Sequence, residues 1–481
     1  MSNLRTNYSA RLAPLYQPLS EDQLRELHSA SLEILERVGV RFYEEEAVQL
    51  MKQGGCTLGE NGCIHIPAWR VEWALRCAPK RQVMCDRDGN RVLYLEGRNS
   101  YFGPGSDCLH ILDHRTGKRR QAVLQDVIDG AIVCDALPNI DFVMSMFFPW
   151  DVEQRLANYR QMEAMLVHTR KPIVFVTETF EASVAAIEMG EAVAGGPEML
   201  RTHPFIACYV NVTTPLRHNA EALKKLLFFC EKGLPFVYVP AVRRGITSPM
   251  TIAGSIALNN AGGLAGLVLS QLKREGTPFI YCAGGAVQII DMRTMGSAYA
   301  APDGRLYEGA LPAYYGLPRW GLAGCSDSKT VDEQAAIEGA LTLMVDVQNG
   351  CHLIHDLGYL EGGLSGSLEL LAICDDTVGW IKRLLQALEI TAETLALDLI
   401  AQIGPDGQYL DQEHTTRHVR EDWASTLVDR RIWENWSASG ESTMRQRANH
   451  KVSDILETHR VPELPKKTRE RLAEIAEAGS G

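Results

Sequence analysis

Between about residue 100 and residue 388, short apolar stretches recur eight times, and a helix-like stretch follows each one. The strand candidates are 100–107, 141–147, 172–178, 204–211, 235–241, 278–283, 317–325 and 351–357. Pro172, Pro204, Pro235 and Pro278 open four of them, at a first strand position where no ladder donor is lost. The helix candidates between them are 121–137, 154–168, 181–194, 219–232, 250–274, 303–315, 331–347 and 367–388. Alternating strands and helices predict a parallel sheet, and eight such units close into a (β/α)8 TIM barrel of the α/β class. In that fold the C-terminal strand ends meet at one mouth, where the chemistry sits. Here those ends carry polar, glycine or aromatic residues. Examples are Gly105-Ser106-Asp107, Thr177-Glu178-Thr179, Cys282-Ala283-Gly284-Gly285 and His355-Asp356-Leu357-Gly358.

The flanks read differently. Residues 1–99 form an N-terminal extension of helices and short strands, 100–388 the catalytic barrel, and 389–481 a helical C-terminal extension. Ser20 caps a helix through Val38, with Glu21 and Asp22 in its positive first turn. A second helix covers 44–53, and a third starts at Pro67. Strands at 82–85 and 91–95 flank the turn Asp88-Gly89-Asn90. In the C-terminal extension Trp423, Trp433 and Trp436 are expected to pack back on the barrel. From Lys451 to the end the chain is charged, with Pro462, Pro465, Lys466 and Lys467 in a linker-like stretch, and Ala478-Gly479-Ser480-Gly481 reads as a frayed tail. The sixth connection, 284–317, is the longest, as lids and binding walls often are.

Composition narrows the partners. An apolar share of 46% and a charged share of 22% over 481 residues describe an ordinary globular chain. A net charge of −12 argues against nucleic acid or an anionic membrane as partner. No signal-peptide core opens the chain, and Gly, Asn or charge interrupts the long apolar stretches. The twelve cysteines are scattered with no CxxC pair, as in reduced thiols, so a cytoplasmic location is expected. A homodimer is the default oligomer.

The candidate chemistry lies at the strand ends. Asp107, Glu178, Asp327 and Asp356 would make the mouth electronegative, which suits a cationic ligand. Capping a turn or helix is the alternative role for Asp107, Glu178 and Asp327. Tyr101, Phe148, Trp150 and Tyr359 fall near the same ends, and aromatic faces attract a quaternary ammonium ion. His352 and His355 point to opposite faces of one strand, so a shared metal ion is disfavoured. His355 alone is either a ligand partner or a core histidine bonded to a carbonyl. Arg243, after the fifth strand, is able to fork onto a carboxylate. P-loop, GxSxG and HExxH motifs are absent.

Several separated motifs resemble the trimethylamine methyltransferase family. They are Leu19 to Leu24, Ser31 to Val40, Gly103-Pro104-Gly105-Ser106-Asp107, Gly324 to Lys329 with Asp332-Glu333-Gln334-Ala335, and His355-Asp356-Leu357-Gly358. The resemblance covers nearly the whole chain. It implies a (β/α)8 barrel that moves a methyl group from an amine to the Co(I) centre of a separate corrinoid protein. Cobalamin is then carried by that partner, and no cofactor is bound permanently. Tertiary-amine members of the family carry pyrrolysine, whereas this chain runs through Cys325–Lys329 in standard residues. That departure makes it similar to the members acting on quaternary amines such as glycine betaine. On this reading Asp107, Glu178 and Asp356 lie near the ammonium. Phe148, Trp150 and Tyr359 form walls, and His355 or Arg243 faces a substrate carboxylate. Two other readings remain: a zinc-dependent barrel methyltransferase using His355, and a catalytically silent betaine-binding protein.

Overall fold

The computed structural model describes residues 16–479 except 283–288, 292–293, 295, 302–304 and 422. Residues 283–285 of the sixth strand end, the start of the helix expected at 303–315, and the tail residues 480–481 lie outside the described residues.

Eight parallel neighbours follow one another round a ring. The first strand (Tyr101–Pro104) pairs with the eighth (Leu353–Leu357), which pairs with the seventh (Trp320–Leu322). Arg319 bridges to Tyr281 of the sixth (Ile280–Tyr281), which pairs with the fifth (Phe236–Val239). The fifth pairs with the fourth (Ile206–Asn211), and that with the third (Ile173–Phe175). The ring closes through an irregular second strand. Val143 bridges to Ile173, Asp141 N donates to Phe102 O at 2.6 Å, and Cys108 bridges to Phe147.

Met144, Val174, Ala207, Tyr209, Val237, Val239, Ile280, Trp320 and Leu353 fill the barrel interior. The N-terminal end is plugged by the antiparallel hairpin Gln82–Cys85/Arg91–Leu95, whose Met84, Leu93 and Leu95 join that interior cluster. These strands have the bounds that their turn and alternation predict. Helix Glu21–Arg37 is capped by Ser20, again as its first turn predicts.

The helices form an outer shell. Ile252–Lys273 is apolar and long enough to cross a membrane, against the expectation that every apolar stretch is interrupted too soon. It is a core helix, with 78% of its most apolar window buried against the N-terminal helices and the barrel. An unpredicted small sheet, His110–Leu112 and Arg119–Gln121 with Tyr359–Leu360 and Ser365–Gly366, joins the loops after the first and eighth strands.

The C-terminal extension divides. Met444–Thr458 buries Ala448 and Val452 against the barrel helices, and Lys466–Ala478 buries Leu472, Ile475 and Ala476. The stretch holding Pro462 and Pro465 is the irregular link between these two helices, and Lys466 and Lys467 open the second of them. Trp423 packs on Gly379 and Trp380 as expected. Trp433 stays 68% exposed and meets Trp436 instead.

Candidate active site

The first strand delivers Asp107 to the mouth through Gly103-Pro104-Gly105. Tyr359 of the eighth strand's loop lies so close to Gly105 that a Cβ there would come within 1.9 Å of its ring. Only glycine allows this approach. The Tyr359 hydroxyl accepts from Ser106 N at 2.6 Å and donates to Ser106 O, which fixes the loop that carries Asp107. Asp107 itself has a left-handed φ of 58°. Its carboxylate accepts from Gln161 Nε2 at 2.8 Å. Burial pushes the Asp107 carboxyl up to about 6, against the pull of Gln161 and Ser106 and with a further push from Glu178.

Asp356 is the second acid. It is 1% exposed and held at φ 82°, an uncommon backbone state for a non-glycine residue. Tyr299, from the long sixth connection, donates its hydroxyl to Asp356 Oδ2. Asp356 Oδ1 has no hydrogen-bond donor among the described residues. His355 Nε2 approaches that oxygen to 3.1 Å. The other ring nitrogen, Nδ1, donates to Gly321 O at 3.0 Å. Burial depresses the imidazole, while Asp356 and the Gly321 carbonyl work the other way. A neutral His355 bonded to Gly321 therefore turns a lone pair toward a carboxylate oxygen. Such a pair is electrostatically incomplete, and a cation beside it relieves the repulsion.

Aromatic faces surround this pair. Trp320 lies 4.7 Å and Tyr209 5.5 Å from His355, ring centroid to centroid. Tyr359 stands between the two acids and feels the charge of both Asp356 and Asp107. Asp107, Asp356, His355 and Tyr359 are thus brought together, as the strand ends predict.

Other predicted residues are placed differently. Glu178 is exposed on the rim; its N donates to Asn158 Oδ1 at 2.8 Å, and its charge reaches Asp107. Thr179, not Glu178, caps the following helix. Asp327 accepts from Ala300 N at 3.0 Å, tying the sixth loop to the seventh, and burial raises its carboxyl. The cap of the next helix is Asp332. Phe148 is buried and meets Trp150 edge-on at 5.3 Å, while Trp150 is 47% exposed with its indole N–H on Leu109 O. Arg243 is exposed in the turn after the fifth strand, and its neighbour Arg244 is the buried one.

Tyr101 is not at the mouth. It begins the first strand, its hydroxyl accepts from Tyr94 N at 3.0 Å, and it packs with the hairpin plug. A strand of four residues carries its first side chain toward the opposite end of the barrel, which the expected start at residue 100 obscured.

Gln161, Tyr209, Tyr299 and Arg305 were not singled out from sequence. Arg305 is fully buried and donates to Tyr299 O at 2.7 Å, to Leu322 O and to Cys325 Sγ at 3.2 Å. Glu308 and Asp346 lie near it, both buried. Burial pushes Asp346 up to about 7 and Glu308 well above the carboxylate range. Asp346 fits behind the seventh strand because Gly321 has no Cβ, which would otherwise come within 2.4 Å of its carboxylate. An arginine in the longest loop was the available signal. His352 bonds to Arg319 N and faces away from His355. Among the described residues, no metal-ligating cluster occurs in the barrel.

The family described as trimethylamine methyltransferase (MTTB) matches residues 2–478. Trimethylamine methyltransferase MttB of Desulfitobacterium hafniense (strain DSM 10664 / DCB-2) is 31% identical, over 95% of this chain and 93% of that protein. Glycine betaine methyltransferase of Desulfitobacterium hafniense (strain Y51) is 29% identical over 98% of both chains. Trimethylamine methyltransferase MttB2 of Methanosarcina mazei is 30% identical, over 92% of this chain and 90% of the relative. A crystal structure of the hydroxylamine complex of MtmB aligns with TM-score 0.51 at 12% identity, over 98% of this chain and 90% of that one. That likeness concerns the fold alone.

Proposed function

We propose that this chain, which belongs to the trimethylamine methyltransferase family, removes a methyl group from a quaternary amine of the glycine betaine type and delivers it to the Co(I) centre of a separate corrinoid protein. The observation that carries this reading is Asp356. It is a buried carboxylate with one oxygen held by Tyr299 and the other lacking a donor among the described residues, beside the rings of His355, Trp320 and Tyr209. A quaternary ammonium has no N–H. It is attracted by charge and by π-faces, and it leaves a carboxylate oxygen without a hydrogen bond. An alkylammonium with N–H groups, by contrast, would donate to that oxygen.

The partner's reduced cobalt supplies the nucleophile. The residues of this chain have three tasks. Asp356 and Asp107 hold the positive nitrogen, and the aromatic rings fill the space between them. Fixed acids and rings then hold one N–CH3 bond in line with the entering nucleophile, so that positioning supplies most of the acceleration. Finally, the leaving amine departs neutral, so no general acid is needed. The burial-depressed, neutral His355 fits that requirement. The carboxylate of a betaine would face outward, toward the turn carrying Arg243 and Arg244. The absence of pyrrolysine from the sequence supports a quaternary over a tertiary amine.

Calorimetry with glycine betaine, other betaines, trimethylamine and dimethylglycine tests the reading. A quaternary amine should bind at least tenfold more tightly than its demethylated product. Equal affinity for the pair would remove the basis of the assignment.

A further inference from the structure

Away from the barrel, the C-terminal extension contains a stretch with almost no core. Its helices Ala392–Leu395, Leu397–Ile403 and Glu413–His418 bury no residue at all. Units this small seldom hold together by apolar burial and commonly depend on a disulfide or a metal. No cysteine lies in this stretch, since the last in the chain is Cys374. It does contain a group of ligands. His414 and His418 stand four apart on one helix face, with ring centroids 4.3 Å apart, and Glu393 reaches them from the first helix.

We infer that Glu393, His414 and His418 form a zinc(II) site that clamps the helix Glu413–His418 to Ala392–Leu395. The potential ligand atoms of all three lie within 4.8 Å of one another. His418 Nε2 is 3.3 Å from Glu393 Oε1. Two ligands about 2.05 Å from a tetrahedral zinc stand about 3.3 Å apart, so this pair already has the spacing the ion imposes. His414 Nε2 now lies 3.3 Å from the Glu393 carbonyl, and a small ring rotation brings a nitrogen to the ion.

The surroundings resemble the outer shell of a metal centre. Glu421 Oε2 accepts from His418 Nδ1 at 2.8 Å. This carboxylate–histidine arrangement keeps the proton on Nδ1 and raises ligand basicity, so zinc would replace the Nε2 proton that now faces Glu393 Oε1. Arg417 Nη1 donates to Glu393 Oε1 at 2.7 Å, and its Nη2 lies 3.3 Å from Glu413 Oε1. Arg417 thus orients the ligating carboxylate without using its remaining lone pairs. Two imidazoles and a carboxylate suit zinc better than magnesium or calcium, which prefer all-oxygen shells. Three protein ligands leave a fourth position for solvent.

The site lies outside the barrel mouth and does not depend on the amine chemistry proposed above. The test uses the full chain without an affinity tag, freed of metal with a chelator and titrated with zinc chloride against a chromophoric competitor. One zinc per chain is expected. His418→Ala and His414→Ala should each weaken binding at least 100-fold, and Glu421→Gln about tenfold. Zinc should also slow proteolytic cleavage between residues 388 and 432 in the parent protein but not in His418→Ala. All three positions are partly or fully exposed, so the variants should keep the parent's circular dichroism. Failure to bind stoichiometric zinc at 10-fold excess, or unchanged binding by the His414→Ala/His418→Ala double variant, would overturn the assignment.

Discussion

Asp107→Asn separates a ligand-binding carboxylate from a structural cap. The folded Asp107 carboxyl titrates at about 6 against an ordinary 3.8, because burial disfavours its charge. The folded state therefore holds a proton that the unfolded chain has already released between those values. Its contribution to stability is complete below pH 4 and is lost as the pH rises through 6. The shift of about two units corresponds to about 3 kcal/mol. Asparagine is a neutral isostere that keeps the Gln161 hydrogen bond, so it should match the parent at pH 4. At pH 8 it should exceed the parent by up to about 3 kcal/mol.

Binding should move the opposite way. A cation near an ionised carboxylate gains about 4 kcal/mol of Coulomb energy at 4 Å and an effective dielectric of 20. Desolvation takes part of that gain, which leaves an expected loss of about 10- to 100-fold in quaternary-amine affinity at pH 8. Parent affinity should itself rise from pH 5 to pH 7 as Asp107 ionises. Denaturant unfolding and calorimetry across this range measure both effects. Parallel stability curves, or equal affinities at pH 8, would refute the reasoning.

Further predictions follow from neighbouring contacts. Tyr359→Phe deletes both hydrogen bonds to Ser106 and should cost about 1–3 kcal/mol of stability, read by denaturant unfolding, with a weaker amine affinity because Asp107 loses its fixed loop. Gly105→Ala drives a methyl into the Tyr359 ring and should lower affinity at least tenfold while circular dichroism stays unchanged. Arg305→Met leaves Glu308 and Asp346 without their buried countercharge and should cost about 3–5 kcal/mol. Asp346 titrates near 7, so this loss should grow as pH rises through 7 and shrink in acid.

The ring order of the barrel was legible because each strand is short, apolar and followed by a helical period. The hairpin plug was legible to the residue because Gly89, at φ 85°, supplies the turn between two alternating strands. The second strand was legible only as an apolar run: its ladder reduces to isolated bridges, which no local pattern encodes. The sheet built from His110–Leu112, Arg119–Gln121 and the loop after Tyr359 was missed because its partners are about 250 residues apart and partly polar.

At the site, strand-end position pointed to Asp107, His355, Asp356 and Tyr359, whose charges and rings the fold places near one another. It misplaced Tyr101, whose direction depends on where a four-residue strand begins. The Tyr299–Asp356 contact and the Arg305 cluster arise from a long loop folding over the seventh and eighth strands, which spacing alone does not reveal.

Transfer of the methyl group tests the central claim most directly. The chain is incubated with a corrinoid protein reduced to Co(I) and with glycine betaine or trimethylamine, while cobalt absorbance and the amine product are followed. The account predicts cobalt methylation matched one for one by the singly demethylated product of a quaternary amine, with no turnover of trimethylamine. Turnover of trimethylamine without any quaternary amine would contradict it.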